Sequence, residues 1–95
     1  MDEDELAIRR RRLRHRCRYR GFLEADLLLD RFARAWLDRL DRAELDRLEA
    51  LLEEPDVDIW DWATGRRPVP ARHEGALMRI LQDFARTGGA VEGRA

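Results

Sequence analysis

The sequence predicts an all-α protein, a single small bundle of five helices. Apolar residues recur at intervals of three and four along most of the chain, which is the period of an amphipathic helix. Glycine and proline interrupt this pattern at short intervals, and no stretch shows the strict alternation of a half-buried strand. The 95 residues suit one domain and leave no room for two.

The first two helices are predicted on either side of Gly21, which is a natural break. Residues 5–18 place Leu6, Leu13 and Cys17 on one side, at spacings of seven and four, and arginines occupy the rest of the circumference. Residues 23–39 carry the clearest helical pattern of the chain. Its inward-facing residues are predicted to be Leu29, Phe32, Ala33, Trp36, Leu37 and Leu40.

Boundary signals predict three further helices. Asp41 and Glu44 have the spacing of a capping box, in which each side chain accepts a hydrogen bond from the other residue's backbone N–H. Pro55 suits the first position of a fourth helix, and Gly65 is placed to stop it. Pro70 is expected to open a fifth helix. The predicted inward residues are Leu45, Leu48, Leu51 and Leu52, then Ile59, Trp60 and Ala63, then Leu77, Ile80, Leu81 and Phe84.

These signals divide the chain into a lead-in, 1–8, a helical domain, 9–86, and a flexible tail, 87–95. The tail contains two consecutive glycines and few apolar anchors, which is typical of a loose terminus. Its removal is therefore expected to leave the domain intact.

Charge is distributed unevenly, although the formal net charge is only −1. Residues 9–20 hold eight arginines and no acid, whereas residues 38–61 hold ten acids against three arginines. Such asymmetry favours a directed electrostatic encounter with a protein partner. A solvated helix face and a nucleic-acid-binding helix are the alternatives, but Tyr19 is the only aromatic residue within the arginine run.

The composition argues against catalysis, a metal site and a tightly held cofactor. Serine, lysine and asparagine are absent, so there is no serine nucleophile and no phosphate-loop lysine. His15 and His73 have no metal-ligand spacing around them, and His73 and Glu74 are neighbours that do not face each other on a helix. No glycine-rich dinucleotide motif is present either.

Cysteine and hydropathy patterns favour a cytoplasmic protein. Cys17 is the only cysteine and suits a reducing compartment, and its register with Leu13 predicts burial rather than reactivity. No run approaches the ~20 apolar residues of a membrane helix, so membrane insertion is not expected. The acidic start of the chain is a poor secretion signal.

Two groups of residues stand out as interface candidates. Trp36 and Trp60 fit core positions, whereas Trp62 must point elsewhere on its helix and is either packed against another helix or partly exposed. In the stretch 20–26, charged side chains surround a glycine that tolerates positive φ and lets a partner backbone approach. The same stretch also reads as a helix N-terminus whose acids favour the dipole, and the residues alone do not decide between the two. The candidate residues are Arg20, Gly21, Glu24 and Asp26.

The chain from 10 to 86 resembles a known family. Arg20-Gly21-x-x-Glu24, followed by Asp26-Leu27-Leu28-Leu29, is similar to the Arg-Gly-x-x-Glu signature of the succinate dehydrogenase assembly factor 2 family, the FAD assembly factors or flavinators. The second half agrees with the family in its acidic, Trp-containing segment, its Pro-x-Pro link and its last helix. These parts are Glu54-Pro55, Asp58 to Gly65, Pro68-Val69-Pro70 and Leu77 to Ala85.

The resemblance implies a five-helix bundle, and we expect the free protein to be a monomer. It also implies binding to the apo flavoprotein subunit of succinate dehydrogenase, and in some cases fumarate reductase, to promote covalent attachment of FAD there. Arg20, Gly21 and Glu24 would then form the contact surface with Asp26 beside them, and FAD would not be held tightly by this chain. The alternatives are a small regulatory or antitoxin-like protein-binding module and a nucleic-acid-binding module that uses the arginine-rich first helix.

Overall fold

The computed structural model describes residues 2–18 and 20–87, with the side chains of residues 2 and 3 excepted, and confirms the all-α prediction. This part of the chain forms five α-helices and no strand. No helix in it is both long and apolar enough to cross a membrane. The helices are α1 (Asp2–Arg16), α2 (Leu23–Trp36), α3 (Arg42–Leu52), α4 (Asp56–Thr64) and α5 (Ala76–Thr87).

Each helix buries one face in a common core. Helix α1 packs on α2 and α3, while α4 packs on α2, α3 and α5. All four leucines predicted to face inward on α3 are buried, but Leu6 and Ile80 are only partly buried at the edge of the core. The largest fully buried side chains are Phe32, Leu13, Leu29, Leu37, Leu40, Leu45, Leu48, Leu51, Ile59 and Leu81.

Two predicted helix ends are confirmed in detail. The Asp41 side chain accepts a hydrogen bond of 2.8 Å from the Glu44 N–H, and the Glu44 side chain accepts one of 3.0 Å from the Asp41 N–H. Gly65 ends α4 with a φ of 81°, a left-handed conformation that glycine adopts without a steric penalty. Short-range signals therefore fix where α3 begins and where α4 stops.

Other predicted boundaries differ from the structure. Pro55 is the residue just before α4 rather than its first residue. Proline suits either position, because its missing N–H has no helical partner at the start of a helix. Pro70 does not open α5, because it precedes a 3-10 turn, Ala71–His73, and the helix begins only at Ala76. A local proline signal does not distinguish a single 3-10 turn from a full α-helix.

The first two helices also differ from their predicted bounds. Helix α1 begins at residue 2 rather than 5 and ends at Arg16 rather than 18. Helix α2 ends at Trp36, and the predicted remainder continues as a 3-10 turn, Leu37–Arg39. The predicted tail lies outside the described residues except for Thr87, which ends α5.

The arginines of α1 have partners within the chain. Arg9 pairs with Asp46 and Glu49, and Arg16 pairs with Glu53 at 2.7 Å. Because the partners advance along α3 in the same direction as the arginines advance along α1, the two helices lie parallel. At least five arginines of the run contact acids or backbone carbonyls of the same chain, namely Arg9, Arg10, Arg14, Arg16 and Arg20.

The prediction of a partner-directed arginine surface is therefore incomplete. The arginine run and the acidic middle of the sequence largely contact each other, and Arg10 donates hydrogen bonds to the carbonyls of Leu37 and Leu40 at 3.1 and 2.8 Å. Exposed pairs such as Arg14 with Asp38, 3.6 Å apart, contribute only about 0–1 kcal/mol to folding. Together the contacts fix the position of α1 on the bundle.

The tryptophans follow the prediction only in part. Trp62 is buried, and its ring lies 5.3 Å from that of His73. Trp60 is only half-buried, although its spacing suggested a core position, and Trp36 is likewise half-buried at the end of α2. On a short helix of nine residues the apolar positions cover more than one face, so spacing alone does not identify the inward one.

Cys17 is buried as predicted. The side chain has no exposed surface, and this burial raises the pKa of the Cys17 thiol to about 12. The thiolate, which is the reactive form, is therefore scarce at neutral pH.

We predict that the folded protein at pH 8 reacts very slowly with a thiol-reactive disulfide reagent, because the thiol is both inaccessible and protonated. The same protein in strong denaturant should react at the rate of a free cysteine, which provides the internal control. Rapid and complete labelling of the native protein would contradict the buried position of Cys17.

Candidate functional site

Arg20 lies between α1 and α2 and points into the bundle, with only 13% of its side chain exposed. Its guanidinium forms an ion pair with Asp56, the first residue of α4. It also donates hydrogen bonds to the carbonyls of Leu52, Glu54 and Arg16 at 3.0, 3.2 and 3.2 Å. The carbonyls at the end of α3 lack helical partners, so a planar guanidinium with five donors satisfies several of them at once. Arg20 therefore joins the ends of α1 and α3 to the start of α4.

Asp26 fixes the backbone on the other side of the same turn. Its two carboxylate oxygens accept hydrogen bonds from the N–H groups of Arg20 at 2.7 Å and of Gly21 at 3.4 Å. Because Asp26 belongs to the first turn of α2, these bonds attach the turn to the helix that follows it. Gly21 is exposed and has a φ of 101°, a conformation that side-chain-bearing residues rarely adopt.

The structure thus brings the four predicted site residues together in one turn, where two face inward and two face outward. Arg20 and Asp26 make internal contacts that hold the turn. Gly21 and Glu24 are exposed, and an added Cβ at Gly21 would have nothing within 4 Å. A direct contact between this turn and a partner stays a prediction, and Gly21 and Glu24 are the residues best placed to make it.

Sequence reasoning missed the apolar surface beside this turn. Phe22 packs edge-on against Trp60, with the ring centroids 6.0 Å apart. Leu23 and Leu27, one turn apart on α2, are 68% and 47% exposed. The run Leu27-Leu28-Leu29 was a usable signal, because three consecutive leucines on one helix cannot all face the core.

A groove of about 160 Å³ lies between α2, α4 and α5 and continues this surface. Leu27, Leu28, Trp60 and Phe84 give it apolar walls. Glu24 lies on its edge, so the groove and the exposed turn share a residue. The remaining lining residues are Arg31 and Ala85.

A second polar cluster lies on the far side of α4. The Nε2 atom of buried His73 is 2.7 Å from an Oε2 of Glu54, and Arg72 binds the same oxygen at 2.9 Å. Both hydrogen bonds lower the pKa of the Glu54 carboxyl, and the bond with His73 has the larger effect. These contacts tie Glu54, just before α4, to the 3-10 turn that carries Arg72 and His73, so the cluster is an internal brace. The described residues contain no group of three or more potential metal ligands.

Comparison with known proteins shows the family of this chain. The family model described as the flavinator of succinate dehydrogenase matches residues 11–85, a range that contains the turn, the groove and all of α2 to α4. The chain belongs to this family. Membership confirms the resemblance carried by the Arg-Gly-x-x-Glu signature.

Individual relatives carry names of the same kind. The FAD assembly factor SdhE of Acetobacter pasteurianus is 39% identical over 84 residues, which cover 88% of this chain and 77% of that protein. Succinate dehydrogenase assembly factor 2 of Cryptococcus neoformans is 43% identical over 94% of this chain but only 51% of its own length. The Yarrowia lipolytica protein of that name is 44% identical, with 86% and 59% covered. The chain thus spans little more than half of these mitochondrial relatives.

We predict that Arg20→Ala lowers the free energy of unfolding by about 2–4 kcal/mol, because Asp56 and three carbonyls lose their partner in a mostly buried place. Arg20→Lys should recover only part of this, since an ammonium lacks the planar fork of donors. Arg12→Ala, at an exposed position of α1, is the control and should stay within about 0.5 kcal/mol of wild type. Denaturant unfolding measures all three. Equal stability of Arg20→Ala and Arg12→Ala would contradict the internal role.

The Glu54 brace predicts a pH dependence of stability. A carboxyl whose pKa is lower in the folded state stabilises the fold fully above its ordinary pKa, 4.5, and this contribution declines as the pH falls through the folded pKa. Glu54→Gln should therefore be less stable than wild type at pH 7, and the difference should shrink towards pH 3. Glu74→Gln, an exposed neighbour of His73, serves as the control. A wild-type advantage that does not decrease as the pH falls below 4.5 would contradict the ionic character of the brace.

Proposed function

We propose that this protein binds the apo flavoprotein subunit of succinate dehydrogenase and promotes covalent attachment of FAD to that subunit. The observation that carries the proposal is the exposed turn at Gly21 and Glu24, held in place by Arg20 and Asp26 within the region that matches the flavinator family. Fumarate reductase flavoproteins belong to the proposal as further clients.

The proposed mechanism is orientation of the partner rather than chemistry by this chain. Covalent flavinylation joins a histidine of the flavoprotein to the flavin, so the flavoprotein supplies the reacting groups. A bound assembly factor favours the arrangement of the partner in which histidine and flavin are aligned, which raises the rate by proximity and population shift. The absence of serine and lysine from the sequence and the burial of Cys17 support an assembly factor over an enzyme.

The groove beside Glu24 is smaller than a cofactor site, and the absence of tight FAD binding by this chain as a whole stays a prediction. Pockets for cofactors usually enclose roughly 300–1,000 Å³, and the groove beside Glu24 has about 160 Å³. The free protein as a monomer and the cytoplasm as its location stay predictions within the same proposal.

The alternatives receive less support. A nucleic-acid-binding role would use the arginine run, but Arg9, Arg10, Arg16 and Arg20 have acid or carbonyl partners within the chain. Arginines with such partners contribute less to the release of counterions from a phosphate backbone. A regulatory or antitoxin-like binding module does not explain why residues 11–85 match the flavinator family.

We predict that Gly21→Arg and Glu24→Ala abolish covalent flavin on the client while the helical fold persists. The arginine side chain at position 21 blocks close approach of a partner backbone. The Glu24→Ala change removes an exposed carboxylate that is proposed to contact the partner. Each variant is supplied in cells that lack the natural factor. The covalent flavin is read as fluorescence of the denatured flavoprotein subunit on a gel.

Gly65→Ala is the matched control for Gly21, because both glycines have positive φ, 81° and 101°, and open space around them. The two substitutions therefore strain the backbone to a similar degree, about 1–3 kcal/mol. Only the change at Gly21 should remove flavinylation. Normal covalent flavin with folded Gly21→Arg and Glu24→Ala would contradict the proposal, and so would equal losses at Gly21 and Gly65.

A further inference from the structure

Exposed apolar side chains are concentrated next to the signature turn. Among the described residues, four large apolar side chains are strongly exposed, and Leu23, Leu27 and Val57 are three of them. Leu23 and Leu27 follow one face of α2, and Val57 precedes the groove residue Trp60 by one turn of α4. Apolar surface that is continuous and bordered by charge is typical of an interaction site.

The charges at the groove are arranged along α2. Glu24 and Arg31 both line it, and neither has an ion-pair or hydrogen-bond partner among the described residues. They are seven residues apart, so they lie on the same face of the helix, separated by roughly 10 Å along its axis. Leu27 lies between them on that face and forms an apolar wall.

The groove suits one side chain of a protein rather than a small molecule. Its volume of about 160 Å³ is well below the range of cofactor pockets but comparable with a single large apolar side chain. Buried Leu28 and Phe84 provide an apolar floor, while half-exposed Trp60 provides a flat aromatic wall. Such pockets commonly hold the anchor residue of an interface.

We infer that the groove binds a short amphipathic helix of the flavoprotein subunit, which inserts one large apolar side chain beside Leu27. The helix carries a basic residue opposite Glu24 and an acidic residue opposite Arg31, about two turns apart around the anchor. This inference rests on the proposed function and extends it, because the groove shares Glu24 with the turn. The apolar anchor contributes affinity, and the two charges fix the direction and register of the bound helix.

The test measures binding of the purified apo flavoprotein subunit of succinate dehydrogenase by calorimetry. Leu27→Glu should weaken binding at least about tenfold, the effect expected for loss of an interface anchor. Ile8→Glu is the matched control, since Ile8 is 51% exposed and Leu27 47%, and it should bind within about twofold of wild type. Arg31→Glu should weaken binding, whereas Arg79→Glu on the exposed face of α5 should not.

The outcomes separate this inference from the proposed function. Wild-type affinity of both Leu27→Glu and Arg31→Glu would overturn the groove as a binding site and leave the proposed function standing. Absence of binding by the wild-type protein would instead remove the proposed function. Leu27→Gln, at the same groove position, replaces Leu27→Glu if that variant is not helical by circular dichroism. A wild-type dimer in sedimentation that Leu27→Glu abolishes would overturn the inference by assigning the groove to a second copy.

Discussion

The guanidinium of Arg20 is the contact on which the rest of the site depends. It satisfies carbonyls at the end of α3, pairs with Asp56 at the start of α4 and bonds back to α1 through the Arg16 carbonyl. Three chain segments that are distant in sequence are thereby held around one planar group. An arginine of this kind acts as a structural link, although it belongs to a motif that resembles a recognition signature.

This inward position gives the motif two separate tasks. Arg20 and Asp26 shape the turn from within, and Gly21 and Glu24 are the exposed residues that the turn presents. A short polar turn would be mobile on its own, but here its backbone N–H groups are bound by a carboxylate from the following helix. Pre-organisation of this kind lowers the entropy that a partner must overcome on binding.

Features set by neighbouring residues were predictable from the sequence, whereas contacts between residues distant in the sequence were not. The capping box at Asp41 and the stop at Gly65 are set by residues within one turn, so the sequence predicted both. Arg16 and Glu53, which form an ion pair, are 37 residues apart in the sequence. The apolar pattern of a helix does not indicate which distant residue a charged side chain will contact. The arginine run was therefore predicted to face a partner protein, whereas much of it contacts the acidic segment of its own chain. The predicted burial of Trp60 was wrong in part, because a helix of nine residues offers too few positions to define its inward face.

The most direct test is a hydrogen-exchange footprint of this protein with and without the apo flavoprotein subunit. If the exposed turn and the groove form the contact surface, binding should slow exchange in peptides that cover residues 20–31 and 57–64. Peptides from α1 that cover residues 5–14 should exchange as in the free protein, because their arginines already have partners within the bundle. Protection confined to α1, with no change in the first half of α2, would contradict the division of roles between Arg20 and its exposed neighbours.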